Sequence, residues 1–564
     1  MFSDLSKKAQ DIFSDTVDRL SRDGVLFVMP AFYPQRGGIL EEAVAKGGRA
    51  IIAGGAPKQQ LFEGIVQYSP GFDTTGISET PKEIYEIVKA IPTEIVKGKK
   101  VALFVEAPVG KYWSNNLKLK GADIVASNEQ NLRLFFEEKT NLQKILQEAG
   151  LQECFIPSEV VEVKNLSMED MDRLYAKYQG QSGRVVIQSC GAENFESGGG
   201  KGTCIVSSFE EFAENMVNQK GSVKVAKCIE GFCSNMSMFV GNLIADEQKP
   251  GMVKGMLGSR DDAFDPDTIY SLLEKGRRLG IDDDKTVVLA ARASLKAIGD
   301  KNLTRSASNG VGNSLGYEFA PEINDKVGEI AQKLGTLMAK CGKVGLCGAD
   351  LIIDKDNHIW INEVNDRQQG PTEQLSLDAE NSGLVGIHRL AFLASYADCH
   401  DPEVYDLFRE VRRHSDTLYR QSLRSDGSFY IKMMGKQQGT AVSVIDLKPG
   451  IYALDRQGDG SWKWDFSHGY DSGNNIDLSQ NRIYAGLAGV SLKKGQQVPS
   501  GAQILRIVGK AKNGSSPFNI SGNKVVLNKK WLPIVNSLYT SLFGKEYNKQ
   551  FMMTKDKQKD GGIL

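Results

Sequence analysis

Long apolar runs are what this 564-residue chain most plainly lacks. No stretch reaches the roughly 20 consecutive apolar residues that span a bilayer. Phe2 and Ser3 lead directly into polar, helix-like sequence without an apolar signal core. A soluble, cytoplasmic protein without a membrane partner is therefore expected. Excess charge of one sign is also missing: 69 Lys plus Arg stand against 70 Asp plus Glu, which leaves no long-range attraction for nucleic acid. Only five histidines are present, none near another, and the eight cysteines are scattered, so neither a zinc site nor a disulfide framework is expected. The Gly-x4-Gly-Lys-Ser/Thr phosphate loop is absent, and Gly54 and Gly55 lack the longer dinucleotide fingerprint.

What is present divides the chain. Its length predicts two or three domains. The segments GVLFVMP, RAIIAGG and KVALFVEAP are short buried-strand patterns with helical material between them, which reads as an N-terminal α/β domain over 1–130. Residues 131–148 carry a helical apolar stripe that includes Leu142, Ile145 and Leu146, with Thr140 or Asn141 as its cap and Lys139 beside its start. Residues 323–339 place Val327, Ile330, Leu334 and Met338 on one helical face. Past 400, a helical stretch precedes strand-like pieces punctuated by DGS, KPG, QGDGS, DSGNN and NGSS, a β-rich accessory region within 401–550. Trp462, Trp464 and Phe466 alternate along one of its strands as core. Residues 551–564 read as a fraying tail.

Three segments between 184 and 313 could carry chemistry. RVVIQSCGAENFESGGGKGTCIV reads as strand, flexible loop, strand, and Ser197 to Gly202 give its backbone freedom to approach an anion, with Lys201 adding charge. SVKVAKCIEG is a strand ending at Glu230 and Gly231, whose backbone could bond an adenine edge. RSASNGVGNS offers Arg305, Ser306, Ser308, Asn309 and Asn313, a polar set suited to a carboxylate.

The most informative segment is 348–367, GADLIIDKDNHIWINEVNDR. A two-residue turn at Asp356 and Asn357 folds it into a hairpin that pairs 354 with 359 and Asp350 with Glu363. Opposed residues share a face, and Asn365 shares it again two residues on. Ile352, Ile359 and Ile361 are expected on that same face. Two carboxylates and a carboxamide then converge at one end, an oxygen set that suits magnesium.

Together, Lys139, VVIQ with SGGGKGT, KCIEG and the 348–367 hairpin resemble the ATP-grasp superfamily of carboxylate-amine ligases, peptide ligases in particular. The resemblance covers roughly 20–400 and is strongest over 131–367. It implies a mixed α/β and α+β molecule: an N-terminal α/β domain (1–130), an ATP-grasp region (131–400) and a C-terminal β-rich accessory domain. It implies ATP and Mg2+ as cofactors. Asp350, Glu363 and Asn365 are then the metal ligands. Lys139, Gln188, Gly198, Gly199, Gly200, Lys201 and Gly202 face the phosphates, and Lys227, Cys228, Ile229 and Glu230 form the adenine hinge. Lys201, Arg305 and Arg367 are the candidate catalytic cations. Two positions depart from the family pattern: Gln188 stands where a lysine is usual, and Ala226 where the hinge often begins with an acid.

The implied reaction activates an amino-acid or peptide carboxylate as an acylphosphate, releasing ADP, and joins it to an amine in a biosynthetic step. A small-molecule or peptide donor and an amine acceptor are the expected partners, and a homodimer stays open. A non-amine acceptor, or a non-catalytic ATP-binding regulator made credible by Gln188, stays open as well.

Overall fold

The computed structural model describes residues 2–30, 38–53, 65–68, 81–103, 110–126, 130–191, 202–243, 256, 261–306, 308–397, 401–424, 427–437, 439–448, 450–468, 475–489, 492–511, 515–545 and 547. The N-terminal strands fall where the sequence places them. β1 (Leu26–Pro30), β2 (Arg49–Ala53) and β4 (Lys100–Leu103) are joined by β3 (Val66–Tyr68) and β5 (Asp123–Ala126) in a parallel sheet of order β3-β2-β1-β4-β5. The Val, Ile, Leu and Ala side chains of β1, β2 and β4 are buried because helices cover both faces, the usual setting of a parallel sheet, while Val66 of the edge strand β3 is exposed.

A second, four-stranded antiparallel sheet follows, built from β6 (Ser158–Glu162), β7 (Val185–Cys190), β8 (Thr203–Val206) and β9 (Ser222–Lys227) in the order β6-β9-β7-β8. One of its faces is dry: Val185, Ile187, Val223 and Val225 pack against the helices Met168–Tyr178 and Phe209–Val217. The first of these helices opens on a capping box in which Ser167 and Asp170 satisfy each other's backbone N–H.

The chain then enters a large, mainly antiparallel sheet containing β10 (Gly231–Asn242), β11 (Thr286–Ala290), β12 (Ser294–Ile298), β13 (Gly310–Ser314), β14 (Gly345–Asp354) and β15 (Ile359–Asn365). The helix Pro321–Lys340 packs on it through Val327, Ile330, Leu334 and Met338, all buried as the periodicity predicts. The C-terminal β-rich region continues this sheet. β16 (Ser428–Met434) hydrogen-bonds β13, β23 (Gln503–Ala511) hydrogen-bonds β16, and β21 (Arg482–Gly489), β18 (Gly450–Arg456) and β19 (Trp462–His468) extend it further. Short strands β17 (Thr440–Val442), β20 (Asn475–Ile476), β22 (Gln497–Pro499), β24 (Phe518–Ser521) and β25 (Lys524–Leu527) complete this region. On β19, Trp462 is buried and Trp464 half-buried, whereas Phe466 is 42% exposed at the sheet edge, so the expected aromatic core stops short of Phe466.

Two features of the β14–β15 hairpin differ from expectation and compensate each other. The turn has three residues: Asp354 N–H donates to the His358 carbonyl at 3.1 Å, and Asn357 takes φ 58°, the left-handed conformation that asparagine tolerates. That shifts the register to Leu351 opposite Ile361 and Ile352 opposite Trp360. A bulge at Asn362 then restores the pairing of Asp350 with Glu363 and of Gly348 with Asn365. Ile359, Ile361 and Val364 therefore join the core with Leu351 and Ile353, and Trp360 shares the polar face with Ile352. Ile361→Ala is expected to lower unfolding stability by about 2–5 kcal/mol, and Ile352→Ala by less than about half of that. Urea unfolding with an unchanged slope checks this, and equal losses would place both residues on one face.

Candidate functional site

The polar face of the large sheet starts with the hairpin and runs across it. Asp350 lies opposite Glu363 on one side and Asn235 on the other. Asn235 lies opposite Ser294, Lys296 opposite Asn313, Asn313 opposite Tyr430, and Lys432 opposite Arg506. Cross-strand partners share a face, so acids at one end and cations toward the other lie on a single surface. Hydrogen bonds tie it together. Lys296 Nζ donates to Asp350 Oδ2 at 2.5 Å, Asn235 and Gln369 donate to Oδ1, and Asn313 bridges Asn235 Oδ1 (2.7 Å) and Ser294 Oγ (2.9 Å). Tyr430 donates to Asn313 Oδ1 at 2.5 Å, and the Arg506 guanidinium lies 4.8 Å from the Tyr430 ring centre.

The charges are shifted as this crowding requires. Burial, and next the Asp350 charge, raise the Glu363 carboxyl above the ordinary carboxylate range, while Lys139 and Lys296 pull it back in part. Burial is likewise the largest influence on Lys296, yet Asp350 and Glu363 outweigh it and raise that ammonium. Lys432 goes the other way: burial first, then Arg506 and Lys296, lower it to about 7. Among the described residues no cluster of three or more His, Cys, Asp and Glu has metal-site geometry. The predicted trio draws its third oxygen from Asn365, which lies on the Glu363 face and is buried. Two carboxylates and an amide suit a hard cation such as Mg2+.

Lys139 occupies the turn between the helices Gln130–Glu137 and Leu142–Glu148, just before the start of the second, as the sequence suggests. The break has a cause: Glu138 Oε1 accepts from Thr140 N–H and Gly191 N–H, and Asn141 Nδ2 donates to the Phe135 and Ala263 carbonyls instead of capping the helix. Lys139 Nζ donates to the Ser189 carbonyl at 3.1 Å, which holds it over the end of β7. Gln188 is buried there, opposite Thr203 of β8 and Lys224 of β9. Lys224 is 1% exposed. Burial, then the neighbouring Lys139, lower its ammonium to about 8, against the favourable charge of Glu363. The small sheet and the β14–β15 hairpin thus approach each other at Lys139, Lys224 and Glu363.

The remaining candidates are placed as follows. Gly202 ends the β7–β8 connection at φ 85°, its carbonyl accepting from Ser189 N–H. Gly198, Gly199, Gly200 and Lys201 lie outside the described residues. Lys227 closes β9, and Cys228, Ile229 and Glu230 cross between the two sheets outside both ladders, with Glu230 ion-paired to Arg184. Arg367 pairs with Glu137 at 3.1 Å, a carboxylate it shares with Arg133. Arg305 is exposed, and no hydrogen bond joins it to the acidic trio, whereas Asn313 of the same segment is inside the network. No disulfide joins the seven described cysteines to one another. Sequence reasoning missed Asn235, Lys224, Lys296, Lys432 and Arg506. Their one signal is a single polar residue inside an apolar strand, as in SVKVAK and SLKAI.

No protein-family model matches the sequence, and no curated protein is significantly similar to it. Among solved structures, the chain is similar to the biotin carboxylase domain of 2-oxoglutarate carboxylase from Hydrogenobacter thermophilus, solved with MgADP, ADP and bicarbonate. The two share 12% identity over 95% of this chain and 99% of that one, with a TM-score of 0.50. It is similar also to the biotin carboxylase–β,γ-ATP complex from Campylobacter jejuni, at 11% identity over 93% of this chain and 98% of that one, with a TM-score of 0.50. At such identity the likeness is one of fold: the chain has the ATP-grasp fold, with an N-terminal α/β part and a β-rich C-terminal part.

The raised Glu363 carboxyl has a stability consequence. Its contribution is fully present below the unfolded-state value of 4.5 and is lost as pH rises through the folded value. Without added metal, Glu363→Gln is expected to be at least as stable as wild type at about pH 7, with a weaker fall of stability on raising the pH. Urea unfolding across that range measures both, and a variant less stable than wild type at neutral pH would show that the carboxylate is a favourable structural charge.

Proposed function

We propose that the protein is an ATP-dependent, ADP-forming carboxylate-amine ligase that activates an amino-acid or peptide carboxylate. The observation that carries this reading is the pairing of Asp350 with Glu363 at the acidic end of a face whose other end holds Lys432 and Arg506, with Lys296, bonded to Asp350, between them. A nucleotide polyphosphate, its metal and a donor carboxylate need this arrangement: anionic ligands for the cation, then cations for the substrate anions. The fold supports it, since the similar biotin carboxylase structures were solved with MgADP or an ATP analogue.

Asp350, Glu363 and Asn365 would hold Mg2+, which when bound offsets negative charge on the phosphate oxygens. Lys139 reaches the phosphates from the end of β7. Cys228 and Ile229, outside the ladders, offer backbone groups to adenine. Lys296 moves from Asp350 to the donor carboxylate, where Lys432 and Arg506 join it. The donor oxygen attacks the γ-phosphorus and the bond to the ADP oxygen breaks, giving an acylphosphate. An amine then attacks the acyl carbon, phosphate leaves and the amine loses a proton. Water must be excluded between the two steps. Asn313 and Tyr430, locked to each other, orient the donor.

Glu363→Gln is expected to keep the fold and slow ADP formation at least about tenfold at saturating magnesium. ADP release is followed with amino acids, peptides and amines, and product mass identifies the acceptor. Unchanged turnover removes Glu363 from the site, and a thioester or carboxylated product replaces the amine acceptor.

A further inference from the structure

The small sheet holds a buried cation that the sequence reading leaves without a role. Lys224 and Gln188 are directly opposed on β9 and β7, so their side chains share a face, the one turned away from the Val185, Ile187, Val223 and Val225 core. Lys224 is among the largest fully buried side chains, and its Nζ has no hydrogen-bond partner among the described residues. The Phe155 ring is centred 5.9 Å from it. Burying an ammonium without a partner is costly and persists where the group has an occupant to meet. Lys139 lies beside it, tethered to the carbonyl of Ser189, the residue after Gln188. The two ammonium groups repel each other and both feel Glu363. Two lysines that repel each other beside a paired-carboxylate site describe half of a polyphosphate cradle.

Gln188 cannot complete that cradle, because a carboxamide donates a hydrogen bond but brings no charge. We infer that Lys224 reaches across from the neighbouring strand and is the phosphate-binding cation of the small sheet, supplying from β9 the charge that Gln188 does not supply from β7. The inference rests on the nucleotide-binding reading above. It gives a reason for the polar break in SVKVAK and makes Gln188 a neutral neighbour that leaves room for one lysine at this point. A lysine at both positions would place two ammonium groups directly opposite on paired strands.

The test compares ATP with adenosine, which lacks the phosphates. Calorimetric affinities are measured for wild type, Lys224→Met, Lys224→Gln, and Lys224→Gln combined with Gln188→Lys, with magnesium present. Lys224→Met and Lys224→Gln are expected to weaken ATP about tenfold to a hundredfold and leave adenosine within about twofold. Lys224→Met should also unfold at a temperature no lower than wild type without nucleotide, since it removes an unpartnered buried charge. The double variant returns ATP affinity toward wild type. A purely structural lysine gives the opposite pattern: lower stability, with ATP and adenosine weakened alike or not at all, and that result overturns the inference. Wild type that binds neither ATP nor adenosine overturns the nucleotide reading itself, and this assignment with it, whereas wild type that binds both while the variants do not discriminate overturns Lys224 alone.

Discussion

One residue without a cross-strand partner, Asn362, sets the geometry on which the site depends. The three-residue turn at the tip of the β14–β15 hairpin would, by itself, carry Glu363 out of register with Asp350. The bulge at Asn362 absorbs that offset. Below it, Ile359 and Ile361 face the core; above it, Glu363 and Asn365 face the polar surface. The same local irregularity thus lets one strand be apolar where it needs support and oxygen-rich where two carboxylates must meet.

The rest of the surface follows from sheet continuity. The strands β14, β10, β12, β13, β16 and β23 hydrogen-bond in succession in one sheet, so Lys432 and Arg506 stand on the same face as Asp350, far apart in sequence but few strands apart in space. The Asn235–Asn313–Tyr430 chain of hydrogen bonds lies between the acids and the more distant cations. Each amide is satisfied on both sides, which fixes their orientations and leaves the charged groups to answer to a ligand. Lys296 is the link between the two ends: bonded to Asp350, it belongs to the acidic cluster, yet it stands on β12, midway toward the cations.

Much of this was legible from residues alone. The Asp350–Glu363–Asn365 convergence, the N-terminal strands and the helix carrying Val327 to Met338 follow from period and turn chemistry, which are local. The Asp350–Glu363 pairing was reached from a two-residue turn that the structure does not have, and it holds because the bulge cancels the error. What was not legible is non-local. Nothing in SVKVAK says that Lys224 will face Gln188, because the long β7–β8 connection hides the register. The C-terminal strands read as an accessory region with no catalytic cluster, since the pairing of β13 with β16 spans more than a hundred residues. The helix start beside Lys139 was readable at Thr140 and Asn141, but the bonds that shape the turn, from Gly191 to Glu138 and from Asn141 to Ala263, join partners that sequence does not place nearby.

The account turns on whether the acidic pair and the two lysines of the small sheet enclose one polyphosphate. A crystal structure of the protein with Mg2+ and a non-hydrolysable ATP analogue measures this directly. The account predicts metal density shared by Asp350 and Glu363, the β- and γ-phosphates between that metal and the Nζ atoms of Lys139 and Lys224, and Lys296 released from Asp350. Nucleotide bound elsewhere, or an Asp350–Lys296 pair left intact with no metal between the carboxylates, would contradict it.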